Sequence, residues 1–281
     1  MKLILLGDSR KKGVTAAAED LIPWLEQRAT LLAVDLDGKL DLSALEADAV
    51  IVLGGDGAVL HTVCRMGTNQ MPLLGVNYGR LGFLAEIAPE QARAALDRIL
   101  AGKSQTSRRL MLECELQRQD KQPLTSLVVN EVVVARKTLS PMTSIRLEIA
   151  GEKVASYWGD GLIVATPGGS TAYSLSAGGP ILYPEMEAFL VTPLSVHALT
   201  IRPIVTPSSV ELQFTLEEES AIAAIIDGQT DWRFDVGDKL LIRRAREVFT
   251  LLEPKGYNYY HSLYTKLHWG KTAREISEDN G

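Results

Sequence analysis

What the chain has little of bounds it first. Long apolar runs are missing: stretches such as residues 50–53 and 162–165 fall far short of the roughly 20 residues a membrane helix needs. The apolar run near the start, residues 3–6, is only four residues long before Gly7-Asp8-Ser9-Arg10-Lys11-Lys12 cuts it off. It therefore reads as a buried strand and not as a signal peptide. Cysteine is scarce: Cys64 and Cys114 stand in apolar segments without metal-ligand spacing, which points to buried free thiols and a cytoplasmic chain. Positive charge is not in surplus. A net charge of −6 argues against a broad nucleic-acid-binding surface, though not against a local basic pocket for phosphates. His61 and His197 lack metal spacing and read as packed or surface residues. Internal repeats and low-complexity linkers are absent. What remains is an ordinary globular composition, 46% hydrophobic and 23% charged, in 281 residues, enough for two domains.

The first hundred residues alternate strand and helix. Residues 2–6, 30–36, 49–53 and 72–77 read as strands; residues 15–27, 58–66 and 89–100 read as helices, the last opened by Pro89 and closed near Gly102. This alternation predicts an α/β domain over residues 1–103 with a mostly parallel sheet covered on both faces. From about residue 104 the texture changes. Residues 110–118, 127–134, 144–149, 162–165, 210–216 and 239–243 are strand-like, several with the period-two pattern of half-buried antiparallel strands. A β-rich, sandwich-like domain is expected over residues 104–252. Residues 253–281 form a closing segment, aromatic-rich over 255–269, expected to pack on the first domain or on a neighbouring subunit. Its polar end past Lys271 is expected to be disordered.

The most telling stretch is Gly54-Gly55-Asp56-Gly57, set between an apolar strand and a short helix. Glycines let the chain approach an anion closely, and a helix N-terminus offers it backbone N–H groups. Gly54, Gly55 and Gly57 are the candidate phosphate-binding residues. Asp56 is the odd feature, because a phosphate cradle has little use for a negative charge unless it takes a proton, holds a hydroxyl or meets a cation. Its other reading is a helix N-cap satisfying amides of the first turn. Arg10, Lys11 and Lys12 either meet phosphates or are simply solvated.

A second polar, glycine-rich block follows the strand at 162–165: Thr166-Pro167-Gly168-Gly169-Ser170-Thr171-Ala172-Tyr173-Ser174-Leu175-Ser176-Ala177-Gly178-Gly179-Pro180. Small hydroxyl side chains suit ribose and phosphate, and a tyrosine ring can stack on a base. Together with Asn130-Glu131, Gly159-Asp160-Gly161, Asp227-Gly228-Gln229 and the segment Asn77-Tyr78-Gly79-Arg80-Leu81-Gly82-Phe83-Leu84, the two blocks resemble the NAD kinase family in order and spacing. The first loop is shared with phosphofructokinases and diacylglycerol kinases; the 166–180 block is far more specific.

The resemblance implies transfer of the terminal phosphoryl group of ATP to the adenosine 2′-hydroxyl of NAD. It also implies a divalent cation, Mg2+ foremost, and a homodimer or homotetramer in which a neighbour completes the NAD site. Carried over by residue, Asp56 is the proton acceptor. Gly57, Phe83, Asn130, Glu131, Asp160, Thr171, Ala172, Tyr173, Ser174, Leu175, Ser176 and Gln229 bind NAD, with Asn130 and Glu131 at the adenosine ribose and Asp160 towards the nicotinamide. No residue is assigned as a metal ligand. Without the resemblance, Asn130-Glu131 reads as a strand-ending turn; for Asp160, a turn residue is the alternative to a functional role. One departure stands out: Gly168 occupies a position where the family usually has Thr or Ser, which implies altered affinity and not lost activity. The competing functions are a lipid kinase of the same superfamily, for which no membrane-facing patch is found, and a non-catalytic NAD(H)-binding regulator, which Asp56 argues against.

Overall fold

Short apolar stretches, each followed by a helical one, set the beginning of the chain. The computed structural model describes residues 1–79, 82–119, 121–137, 142–198, 200–219, 221–253, 256–268 and 270. Strands β1 (Lys2–Gly7), β2 (Thr30–Asp35), β3 (Ala49–Gly54) and β4 (Leu73–Asn77) pair in parallel in the order β2-β1-β3-β4. Every residue of β3 is buried, as a strand covered on both faces requires. Helix α1 (Val14–Glu26) buries Val14, Ala18, Leu21 and Leu25 at helical spacing in one core with Leu3, Leu5, Ile51 and Leu53. Helix α2 (Asp56–Met66) leaves β3 across a single residue, Gly55. A turn at Pro89–Gln91 leads into α3 (Ala92–Leu100), which adds Ala92, Ala95, Leu96 and Ile99 to that core.

The remainder is β-rich: β5 (Gln105–Gln117), β6 (Leu124–Val128), β7 (Glu131–Arg136), β8 (Thr143–Ile149), β9 (Glu152–Gly159), β10 (Gly161–Ala165), the one-turn α4 (Tyr173–Ser176), β11 (Ala188–Leu194), β12 (Ile204–Pro207), β13 (Leu212–Leu216), β14 (Ile222–Ile226), β15 (Thr230–Phe234) and β16 (Lys239–Glu253). One sheet runs β12-β11-β10-β7-β14-β15; facing it are β16-β13-β8-β9, with β5 and β6 attached to β16. Side chains alternate as a sandwich demands. Val132 and Val134 of β7, Leu162 and Val164 of β10, and Phe189 and Val191 of β11 enter the core shared with Leu147, Leu212, Phe214 and Leu240. Their neighbours Val133, Ile163, Ala165 and Leu190 pack on the outer face with Leu182.

The chain forms two units. The first comprises residues 1–62, 71–107 and the chain from Thr250 on; the second comprises residues 63–70 and 108–249. In the first, Leu251 of β16 pairs in parallel with Leu73 of β4, and α5 (Tyr259–Leu267) follows, capped by the Asn258 side chain on the Tyr260 N–H. The mostly parallel sheet and the β-rich sandwich are the architecture the sequence implied.

Several expectations need correction. Residues 127–134 are not one strand: β6 ends at Val128 and β7 begins at Glu131, for a reason given below. The helix expected from residue 58 begins at Asp56. Cys114 is buried, but Cys64 is only half-buried. β9, β11, β12, β14 and β15 were not foreseen. The expected disorder past Lys271 lies outside the described residues, as do Arg80, Leu81, Lys255 and Trp269 of the quoted segments.

Candidate active site

In the first unit, β3 and β4 end side by side, Gly54 opposite Asn77. Asp56 opens α2 half-buried, with Gly57 exposed beside it. The carboxylate does not cap its own helix. Its Oδ2 accepts the Phe83 N–H at 2.7 Å, and its Oδ1 accepts the N–H groups of Leu84 at 3.0 Å and Ala85 at 2.9 Å. A distant segment is thereby clamped, and Gly82 is what lets it come so close: a Cβ there would overlap the carboxylate. A carboxylate offers about four acceptor positions, so among the described residues one on Oδ2 is left. Space lies open at Gly57, where a Cβ would meet nothing within 4 Å. At Gly55, the Lys11 Nζ and Asn77 Oδ1 come to within 3.9 Å and 4.0 Å of where a Cβ would stand.

The second unit repeats the device. Asp227 is buried, and its carboxylate accepts three consecutive amides: Val129 at 2.8 Å on Oδ2, and Asn130 at 2.8 Å and Glu131 at 3.0 Å on Oδ1. The clamp pulls the chain out of the strand between β6 and β7. Asp227 itself has φ 47° and Gly228 φ 67°, with the Gln229 N–H on the Ile226 carbonyl at 2.9 Å. Two successive left-handed residues make the tight hairpin turn between β14 and β15 that an Asp-Gly pair favours. Gln229 sits exposed on that turn.

Thr166 stitches the 166–180 block onto the clamped turn. Its hydroxyl donates to the Val129 carbonyl at 2.7 Å and accepts the Gly169 N–H at 2.9 Å, while its own N–H donates to the Asn130 carbonyl at 2.8 Å. Gly169 has no room for a side chain, since a Cβ would overlap the Asn130 carbonyl. Glu131 is therefore enclosed, 8% exposed. Burial pushes its carboxyl up to about 8, the Asp227 charge adds to the shift, and the Tyr173 N–H opposes it. Burial also pushes Asp227 upward, against its three amides. Of the pair, Glu131 is the natural holder of a proton, because Asp227 has the amide donors that stabilise a charge.

The structure thus brings Asn130, Glu131, Thr171, Ala172 and Tyr173 to one end of the β7–β10 pair. Tyr173 and Ser176 are exposed, Leu175 half-buried, and Ser174 fully buried with its hydroxyl 2.8 Å from that of Thr192. Asp160 is elsewhere. It precedes Gly161, which pairs with Ala135, whereas Glu131 pairs with Ala165, some ~14 Å away along the strand. There Asp160 forms an ion pair with Arg136 at 2.7 Å, and the Trp158 and His197 rings meet tilted by 43° with centroids 5.0 Å apart. Gly168 has room for a side chain: a Cβ would stand 3.6 Å from the Thr166 hydroxyl and 3.9 Å from Arg109 Cδ, both ordinary contacts.

Two family models match the chain: that of the ATP-NAD kinase N-terminal domain over residues 6–104 and that of the ATP-NAD kinase C-terminal domain over residues 129–253. The chain belongs to the ATP-NAD kinase family. Among curated relatives, the NAD kinase of Thiobacillus denitrificans is 40% identical over 281 residues, covering 95% of this chain and 96% of its own. The NAD kinase of Rhodopirellula baltica is 39% identical over 269 residues, covering 95% and 86%. Solved structures share the fold. A yeast NADH kinase complexed with NADH superposes with a TM-score of 0.89 at 22% identity, over 97% of this chain and 89% of that one. An Archaeoglobus fulgidus NAD kinase in complex with ATP gives 0.79 at 23% identity, over 95% and 99%.

For this ATP-NAD kinase family member, sequence reasoning gave no role to Asp227, Thr166 or Gly82. Each had a visible signal: an Asp-Gly hairpin pair, a hydroxyl straight after a buried strand, and a glycine two residues before a quoted leucine. None of these signals names its partner, which lies from 26 to 98 residues away.

Proposed function

We propose that this protein phosphorylates the adenosine 2′-hydroxyl of NAD with ATP, giving NADP and ADP. The ribose oxygen forms a bond to the terminal phosphorus of ATP as the bridging P–O bond to ADP breaks, and the hydroxyl proton passes to Asp56. The observation that carries this reading is the fixed bearing of the Asp56 carboxylate: three amides hold it at the mouth of the strand–helix loop, and among the described residues one acceptor position on Oδ2 stays unused. Phosphoryl transfer asks the protein for alignment, charge neutralisation and a proton acceptor, and little else. Gly54, Gly55 and Gly57 receive phosphate at the start of α2, where the helix dipole favours anions. Lys11 supplies a positive charge beside Gly55.

Asn130, Glu131, Thr171, Ala172, Tyr173, Ser176 and Gln229 bind NAD, with Phe83 and Gly57 beside Asp56 and Asp160 toward the nicotinamide end. Ser174 and Leu175 shape the block from within. Glu131, protonated at neutral pH, donates a hydrogen bond to the ribose. Among the described residues no group of three or more His, Cys, Asp or Glu side chains is gathered. Mg2+ would be held chiefly by the nucleotide phosphates, the mode usual for this ion, and would neutralise phosphate charge. No described helix is long and apolar enough to cross a membrane. The same reading has the enzyme act in the cytoplasm as a homodimer or homotetramer, a neighbour completing the NAD site.

The test is to incubate purified protein with ATP, Mg2+ and NAD and follow NADP with an NADP-specific dehydrogenase. Mg2+-dependent NADP formation supports the proposal. NAD binding without NADP establishes a regulator instead, and phosphorylation of diacylglycerol in place of NAD establishes a lipid kinase.

A further inference from the structure

Asp56 is held by residues 83–85, and those residues are themselves gripped from outside the loop. Glu86 Oε1 accepts both the Lys266 ammonium at 2.6 Å and the Tyr257 hydroxyl at 3.0 Å. The Lys266 and Glu86 side chains are only 7% and 8% exposed. The same Lys266 ammonium lies 4.7 Å from the centroid of the Phe83 ring, which also faces Tyr259 at 6.3 Å. The closing segment with α5 therefore holds both ends of a four-residue stretch. Between those ends, Leu84 and Ala85 aim their N–H groups at Asp56 Oδ1, and Phe83 aims its own at Oδ2.

A buried ion pair is a poor device for stability, because desolvation offsets most of its attraction and an apolar pair of similar size does as well. What it does provide is a defined geometry, since two charges and a shared oxygen permit few arrangements. We propose that Lys266 and Tyr257, acting through Glu86 and Phe83, are positioning residues for Asp56: α5 straps the 83–86 segment so that its amides fix the bearing of the carboxylate. This rests on the reading of Asp56 as the proton acceptor.

Misplacing a reacting group by about 1 Å costs on the order of 100-fold in rate. The experiment measures kcat, the KM values for NAD and ATP, and the melting temperature of the full chain. The variants are Lys266→Met, Glu86→Gln, the two combined, and Tyr257→Phe. The combined variant removes both charges of the pair together, and Tyr257→Phe removes one hydroxyl only, so folding defects in the single charge variants do not end the test. The expected result is a kcat lowered about 10- to 100-fold in the combined variant, with both KM values unchanged, and a smaller fall in Tyr257→Phe. Where the single variants fold, their losses do not add, because the pair acts as a unit. An unchanged kcat overturns the proposal, whether the melting temperature falls or not; so does a raised KM at unchanged kcat. Asp56→Asn is measured alongside. If it keeps full kcat, the proton-acceptor reading itself fails; if it loses kcat while the combined variant keeps the wild-type kcat, only the strap fails.

Discussion

Asp227 holds Glu131 in place: both residues are buried, and the Asp227 carboxylate accepts the Glu131 backbone N–H at 3.0 Å. One residue thus places its neighbour's backbone while its charge raises that neighbour's affinity for a proton. The β6–β7 break and the Asn130-Glu131 turn share this origin, while burial is the larger cause of the raised Glu131 pKa and the Asp227 charge adds to it.

Removing the clamp should unfold the turn. Asp227→Ala leaves three N–H groups, those of Val129 and Glu131 buried and that of Asn130 half-buried, without their charged acceptor, and the expected loss is about 3–5 kcal/mol of stability. Asp227→Asn keeps an acceptor oxygen and should lose less. Urea denaturation of both variants checks the order; an Asp227→Ala protein as stable as the wild type contradicts it.

Glu131 should make stability depend on pH. Its carboxyl titrates near 8 in the folded protein, raised from 4.5. Between those values the folded state keeps a proton that the unfolded chain releases, so stability falls as pH rises through that window. Calorimetric scans from pH 5 to 8.5 should show this slope in the wild type and a shallower one in Glu131→Gln. Parallel slopes would mean that Glu131 is ionised throughout.

Gly82→Ala should damage catalysis more than binding. The new Cβ meets the Asp56 carboxylate, which must swing away or lose its amides. The expected kcat is about 100-fold lower, with NAD affinity little changed. Steady-state kinetics and calorimetric NAD titration separate the two effects, and an unchanged kcat refutes the account of this glycine.

Gly168→Thr should fold normally. A Cβ there makes only ordinary contacts, and the backbone is not in the left-handed region. If the added hydroxyl restores one hydrogen bond to NAD, KM for NAD falls about 5-fold, the equivalent of roughly 1 kcal/mol, with kcat unchanged. A rise in KM would show that the glycine is needed for fit.

How much of this was readable in advance follows from range. β1, β3 and β4 are continuous apolar runs, and a buried parallel strand needs nothing else to be seen. The loop at Gly54 and the 166–180 block carry their chemistry in consecutive residues. The break at residues 129–130 is different: Val129 is apolar and buried, and only a carboxylate some 97 residues later draws it out of a strand. β9 is mostly exposed, so its apolar positions do not alternate, and β11 contains Pro193, which reads as a breaker. For Asp56 both local readings missed the amide clamp, because its partners at 83–85 belong to another loop.

The central claim is that the Asp56 carboxylate takes the proton from the acceptor hydroxyl. Its most direct test is Asp56→Asn, compared with wild type in NADP formation and in calorimetric NAD binding. We predict NAD affinity within about threefold of wild type and kcat lower by about 10²–10⁴-fold, the usual worth of a positioned base. An asparagine variant that makes NADP at the wild-type rate would contradict the account.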